Sequence, residues 1–366
     1  MRHILPAFIL ILFAGPGSIE AKNLADEPVR IAIAGLTHDH VHWIFRDDNR
    51  EDIEIVGFYE PNEELSDRYA QQYDLDGSLF YTDLEDMLDS VNPEAVTAFG
   101  STYEHLALVQ ASAPRGIDIM VEKPLAVNMD HASQMKELAE QHDVHLLTNY
   151  ETTWYASNHR VYDLVHETES IGDIRKMVVH DGHKGPKEIG VSEEFLEWLT
   201  DPVQNGGGAL MDFGCYGINL MTWLMNGAEP LSVMAVTQTH KPDIYPDVDD
   251  EATIIVTYPG AQGIIQGSWN WPYNRKDTHV YGQSGYVYAL NDIKLQVSEN
   301  EQPVQDITVE ATSYPNDDPF SYFAAVIRGD IIVQDTDLSS LANNLTVVKV
   351  LDAARESAST GRAVEL

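Results

Sequence analysis

The chain holds a single cysteine, Cys215, so no intrachain disulfide can form and the fold must rest on its packed core. Positive charge is scarce as well. Lys and Arg number 22 against 59 Asp and Glu, for a formal net charge of -37. Such a surface repels nucleic acid and anionic lipid, which argues against either as a partner. The acids are spread along the sequence, as in a solvated shell rather than an acidic tail. Long apolar runs are missing too. The stretch from Leu5 to Ala14 is too short to cross a bilayer, but it follows Arg2 and His3 and precedes small residues up to Ala21. This is the pattern of an export signal. Residues 1–21 are expected to be removed and the mature protein exported, with the periplasm as its destination and no membrane segment left. A retained N-terminal anchor is the alternative. No cysteine near the junction marks a lipoprotein, and no adjacent arginine pair marks the twin-arginine route.

At 366 residues and 43% hydrophobic, the chain suits two packed domains. Short β-rich runs come first, at Val29 to Ala34, Ile53 to Tyr59, Ala95 to Phe99, Ile117 to Val121 and Val144 to Leu147. Helical spacing separates them, for example at Ala132, Met135 and Ala139. Buried strands alternating with helices predict a doubly wound parallel sheet of Rossmann type over residues 28–150. The texture then changes. Ile174 to His180, Leu231 to Thr239, Glu251 to Tyr258, Gly263 to Trp269, Val280 to Tyr288 and Ile293 to Val297 are strand-like. They predict a large, mostly antiparallel sheet in an α/β domain over 151–366, interrupted by a helix near Ala209 to Leu224 and closed by one near Leu338 to Ser357.

The turn after the first strand, Gly35-Leu36-Thr37-His38-Asp39-His40-Val41-His42, has Gly35 in the first glycine position of a dinucleotide loop. Thr37 and His40 fall where the second and third glycines would stand. The second strand candidate is followed by Glu60, whose carboxylate can accept from an adenosine ribose and would repel a 2′-phosphate. NAD is therefore expected in preference to NADP; Glu60 as a plain surface acid is the alternative. The alternating His38, His40 and His42 also resemble the zinc-binding pair of metal-dependent hydrolases. A metal barrel needs eight βα units, which the second half does not supply, so no metal is expected.

Lys123, in Glu122-Lys123-Pro124, follows the strand Ile117 to Val121 at the edge where open α/β sheets bind ligands. A lysine there can bond a substrate hydroxyl. Further on, Gly206-Gly207-Gly208-Ala209-Leu210-Met211-Asp212 leads into a helix that also carries Tyr216, four residues on and on the same face.

Together these motifs resemble the Gfo/Idh/MocA oxidoreductase family, in its glucose–fructose oxidoreductase and inositol dehydrogenase-like branches. His105, the run Val248-Asp249-Asp250-Glu251-Ala252, and the tail from Tyr322-Phe323 to Thr360-Gly361-Arg362 extend the likeness over nearly the whole mature chain. The resemblance implies an NAD-dependent oxidoreductase acting on a sugar, polyol or glycoside. The nicotinamide would lie between the domains, and the second sheet would support a homo-oligomer. Lys123, Asp212 and Tyr216 would be catalytic, with the Tyr216 phenol lowered by the neighbouring ammonium. Gly35, Thr37, His38, His40, Glu60, His105, Glu122 and Lys123 would hold the cofactor. Asn149, Tyr150, His180, His183 and Lys184 are candidate substrate contacts, and Trp269 and Trp271 either stack on a sugar ring or fill the core. Export would require a tightly held, recycled cofactor. That suits either sugar-to-sugar oxidoreduction or hydrolysis by transient oxidation and elimination. A non-redox binding or metal-dependent protein on the same fold is the alternative of another class.

Overall fold

The computed structural model describes residues 27–46 and 50–366; the expected export signal lies outside them. Six parallel strands form the first sheet: β1 (Val29–Ala34), β2 (Ile53–Tyr59), β3 (Phe80–Tyr81), β4 (Ala95–Ala98), β5 (Asp118–Glu122) and β6 (Leu146–Asn149). Their order is β3-β2-β1-β4-β5-β6. The strand order reverses at β1, which pairs β2 on one side and β4 on the other, and that opens a crevice at their carboxyl ends. The helices are α1 (Glu63–Tyr73), α2 (Leu84–Val91), α3 (His105–Ser112) and α4 (Met129–His142). In α4 the buried residues are Ala132, Met135 and Ala139, and the Asn128 side chain caps its first turn. The turn after β1 continues into a 3-10 segment, Asp39–Phe45.

After α5 (Ala156–Tyr162), the chain enters β7 (Ile174–Gly182), followed by α6 (Pro186–Ile189), α7 (Glu193–Leu199) and α8 (Ala209–Leu224). Seven strands follow: β8 (Ser232–Gln238), β9 (Glu251–Tyr258), β10 (Ala261–Ser268), β11 (Arg275–Gly282), β12 (Gly285–Ala289), β13 (Lys294–Glu299) and β14 (Gln305–Thr308). Then come α9 (Pro319–Ile327), α10 (Leu341–Thr360) and the terminal β15 (Val364–Glu365). The nine-stranded sheet runs β14-β13-β12-β11-β7-β10-β9-β8-β15. It is antiparallel except where β7 meets β10. One expected strand, Val280 to Tyr288, is instead a hairpin of β11 and β12 that reverses at Gln283 and Ser284, because apolar alternation continues on both arms.

Helix α8 lies under this sheet against β7, β9 and β10, and all of its residues are buried, as its apolar composition requires. Asp249 accepts from the N–H groups of Gly208 and Leu210 and caps its start. Gly208 allows that approach, since a Cβ there would lie 1.8 Å from the Asp249 carbonyl oxygen. Late in the chain the path returns to the first sheet. Phe320 and Phe323 of α9 pack with Ile33 and Phe58, while α10 places Val348 in the first core and Val347, Val350 and Leu351 in the second.

Candidate active site

At the crevice between β1 and β4, Gly35 has φ +83° and a Cβ on it would lie 2.5 Å from the Gly100 nitrogen. The two backbones thus form the floor of a cavity of about 210 Å³ lined by Gly35, Thr37, Glu60, Glu104, His105 and apolar neighbours. Glu60 ends up buried beneath the turn, accepting from Leu36 N–H at 2.9 Å and Asn62 N–H at 3.0 Å. Burial pushes its pKa up, more than these bonds lower it. His105 is bonded through Nδ1 to the Leu125 carbonyl, and its buried Nε2 has no hydrogen-bond partner among the described residues. Burial draws its pKa down to about 4. A cradle that a Cβ would fill, an acid at the end of β2 and an orphaned imidazole nitrogen fit the adenosine half of a dinucleotide.

His38 and His40 do not join this cavity. The N–H groups of Leu36, His38 and His40 are already donated within the protein, to Glu60, Phe99 and the His38 ring. The turn therefore offers fewer free amides than a glycine-rich loop would. Both rings face a second cavity, of about 500 Å³, between the two sheets. His40 Nδ1 stands 3.0 Å from Glu122 Oε2, and Asn149 donates to Glu122 Oε1 at 2.7 Å. Burial would raise Glu122, but the two histidines and Asn149 hold it down to about 2. His38, His40 and Glu122 lie close enough to surround an ion. However, His38 Nδ1 accepts the His40 N–H at 3.1 Å, so the neutral ring carries its proton on Nε2, where a metal would need a lone pair. Together with the six-stranded open sheet, that tautomer argues against the metal-barrel alternative. His42 points elsewhere, to the Tyr73 hydroxyl at 2.5 Å.

Lys123 enters the large cavity from the end of β5, joined to Pro124 by a cis peptide bond. Its ammonium is ion-paired with Asp212 on the first turn of α8 and donates to the Asp212 carbonyl at 3.2 Å. The other Asp212 oxygen accepts from Trp269 Nε1 at 2.9 Å. Burial opposes both charges, yet each partner sustains the other: Lys123 is raised and Asp212 lowered. Tyr216 lies one turn along α8, with its ring centre 5.3 Å from Lys123 Nζ. Its phenol is not lowered as expected. Burial, reinforced by the carboxyl groups of Glu151 and Asp181, pushes it well above its ordinary value.

The other expected contacts divide. His183 lines the cavity, edge-on to Phe213 at 5.0 Å, with burial drawing its pKa down to about 4. His180 belongs to the opposite face of the sheet, where it pairs with Asp277 at 2.8 Å. Strand alternation sends Asp181 inward in its place. Lys184 is exposed and off the cavity wall; among the described residues only its carbonyl is engaged, by Lys241. Asn149 and Tyr150 stand behind the wall rather than on it: Asn149 orients Glu122, and Tyr150 packs edge-on to Tyr216 at 5.3 Å. Trp269 is a core residue that orients Asp212, and Trp271 packs against Arg275 and His180. Residues not anticipated from sequence are Asp39, Glu151, Tyr155, Phe195, Asn274 and Lys276, all on the cavity wall. Asp39 bonds Ser192 through Oγ at 2.6 Å and N–H at 3.2 Å, which ties α7 to the turn after β1.

Residues 29–150 match an oxidoreductase family with an NAD-binding Rossmann fold, and residues 159–288 match the GFO/IDH/MocA C-terminal domain. The chain is 24% identical to D-xylose 1-dehydrogenase [NADP(+)] of Haloarcula marismortui, over 94% of this chain and 95% of that protein. It is 22% identical to trans-1,2-dihydrobenzene-1,2-diol dehydrogenase of Xenopus tropicalis, over 83% and 89%. In fold it is similar to the aldose-aldose oxidoreductase from Caulobacter crescentus complexed with glycerol, with TM-score 0.78, 21% identity, and 93% and 100% of the two chains covered. It is likewise similar to an inositol dehydrogenase homolog complexed with NAD+ from Azotobacter vinelandii, with TM-score 0.80, 18% identity, and 93% and 98% covered.

Proposed function

Because the chain belongs to the Gfo/Idh/MocA family of NAD(P)-dependent oxidoreductases, we propose that its central cavity oxidises or reduces one carbinol of a neutral sugar, polyol or glycoside. A nicotinamide bound there supplies the hydride acceptor or donor. One observation carries this reading: the buried Lys123–Asp212 pair on the cavity wall, with Tyr216 one turn away. Tyr216 exchanges the proton of the substrate hydroxyl. Lys123 holds the oxygen that gains or loses charge, and Asp212 holds Lys123. His183, kept neutral by burial, orients a second ring hydroxyl. The cavity's charges are largely matched in pairs, Lys123 with Asp212 and Lys276 with Glu151, which suits a neutral polyhydroxylated substrate better than an anionic one. The names of the relatives, a pentose dehydrogenase and an inositol dehydrogenase homolog among them, support the same class.

Glu60 supports NAD over NADP, since its buried carboxyl stands in the small cavity where a 2′-phosphate would meet it. The export-signal pattern read in residues 1–21 supports a periplasmic enzyme whose nucleotide is tightly held and recycled within each cycle. The far face of the nine-stranded sheet, with Met234 and Val236 exposed, supports a homo-oligomer. The test is to denature purified protein, identify any released nucleotide, and assay a panel of sugars, polyols and glycosides with NAD and NADP. Failure to bind either nucleotide, with no turnover on the panel, would overturn the proposal.

A further inference from the structure

Tyr216 lies against two ammonium groups, not one. Lys276 Nζ stands 4.4 Å from its ring centre, nearer than Lys123 at 5.3 Å. Lys276 belongs to β11, directly opposite Asp181 of β7, so both side chains leave the sheet on the cavity side. Glu151 tethers the ammonium through Oε2 at 2.5 Å, and the Tyr155 hydroxyl donates to Glu151 Oε1 at 2.5 Å. The reaction proposed above makes no use of this second ion pair.

We propose that Lys276 and Glu151 are positioning residues for Tyr216, the pair setting how readily the phenol releases and recovers its proton. The inference rests on the assignment of proton transfer to Tyr216. Charged and titratable groups face that ring from each element around it. Lys123 comes from the end of β5, Tyr150 and Glu151 from the segment after β6, and Asp181 from β7. Asp212 and Cys215 lie on α8 itself, and Lys276 comes from β11. Three of these groups are carboxyls and two are ammoniums. Burial pushes Asp181 well above the ordinary carboxyl range, and its Oδ1 has no hydrogen-bond partner among the described residues, both of which favour its neutral form. The remaining charges then balance as Lys123–Asp212 and Lys276–Glu151. A phenolate adds a negative charge to this balanced, poorly solvated set, so its stability depends on how near each cation and each anion lies. Lys276 favours the phenolate and Glu151 opposes it.

Opposite signs within one ion pair make the test. The pH dependence of kcat/KM for sugar oxidation is measured for the full chain and for Tyr216→Phe, Lys276→Met, Lys276→Arg and Glu151→Gln. Tyr216→Phe loses turnover. In Lys276→Met the ascending limb, which reports release of the Tyr216 proton, moves up by about one pH unit, and in Glu151→Gln it moves down. Lys276→Arg, which keeps the charge, stays near the wild-type limb. A general loss of fold would lower rates at every pH and would not separate the two variants. If Lys276→Met and Glu151→Gln leave the limb in place, or shift it in the same direction, the pair does not govern Tyr216 and the inference is wrong. If Tyr216→Phe keeps its turnover, the proton-transfer assignment itself fails, and that result is distinct from failure of the ion-pair role.

Discussion

Trp269 donates its indole N–H to Asp212 at 2.9 Å, from a site with no exposure to solvent. The tryptophan of β10's end thereby fixes the carboxylate that in turn fixes Lys123. Trp269→Phe keeps most of the ring and leaves one Asp212 oxygen without its donor. Unfolding in denaturant should show a loss of about 1.5–3 kcal/mol, the usual worth of a hydrogen bond to a charged group. Turnover should fall while nucleotide binding holds. Unchanged stability and turnover would mean that the bond has no orienting role.

Lys123→Met should abolish turnover. It also strands Asp212 as a buried charge, which typically costs about 3–5 kcal/mol. The double variant Lys123→Met, Asp212→Leu should recover much of that stability in denaturant titration and none of the activity. Near-normal turnover in the single variant would remove Lys123 from the mechanism.

Glu60→Ala removes the acid at the end of β2 and leaves the N–H groups of Leu36 and Asn62 without their acceptor. Affinity for NAD, measured by calorimetry, should fall about tenfold or more, while NADP loses less and the preference narrows. A variant that keeps the wild-type ratio would show that Glu60 serves only to hold the turn.

Stability should fall with acid in two stages. His105 and His183 are held down to about 4 by burial, against an unfolded value of 6.5. The unfolded chain therefore binds more protons as pH drops below 6.5, and stability declines until about pH 4. Glu122 and Glu151, held to about 2 against 4.5 when unfolded, extend the loss as pH falls from 4.5 towards 2. Denaturant midpoints across this range measure both stages, and His105→Gln should flatten the upper one. A midpoint constant from pH 7 to 4 would contradict the neutral, buried imidazoles.

Much of the architecture is legible in the sequence because its signals are local. Strands such as Val29–Ala34 are buried on both faces, and α4 shows its inward residues at helical spacing. Lys123 and Asp212 were recognisable as partners because each sits in a distinctive run, although 89 residues separate them. The misplaced residues depend on relations that the sequence does not state. Whether His180 or Asp181 faces the cavity is a matter of strand phase, and a shift of one residue exchanges them. Lys276 gains meaning only when β11 lies beside β7, because its partner Glu151 is 125 residues away. The histidine-rich turn looked like a phosphate loop by position, but its ring contacts with Phe195, Trp198 and Glu122 are tertiary. The return of α9 to the first core is likewise invisible in a local pattern.

Helix α10 acts as a splint riveted into both cores. Swinging the two sheets apart would have to uncover Val348 on one side or Val347, Val350 and Leu351 on the other, at about 1.5–3 kcal/mol for each side chain. Wholesale hinge opening is therefore a steep route into the cavity. The stretch from Pro186 to Leu199, which walls one side of the cavity, adds a second brace to the first domain through the two Asp39–Ser192 hydrogen bonds and the Arg68–Glu194 ion pair.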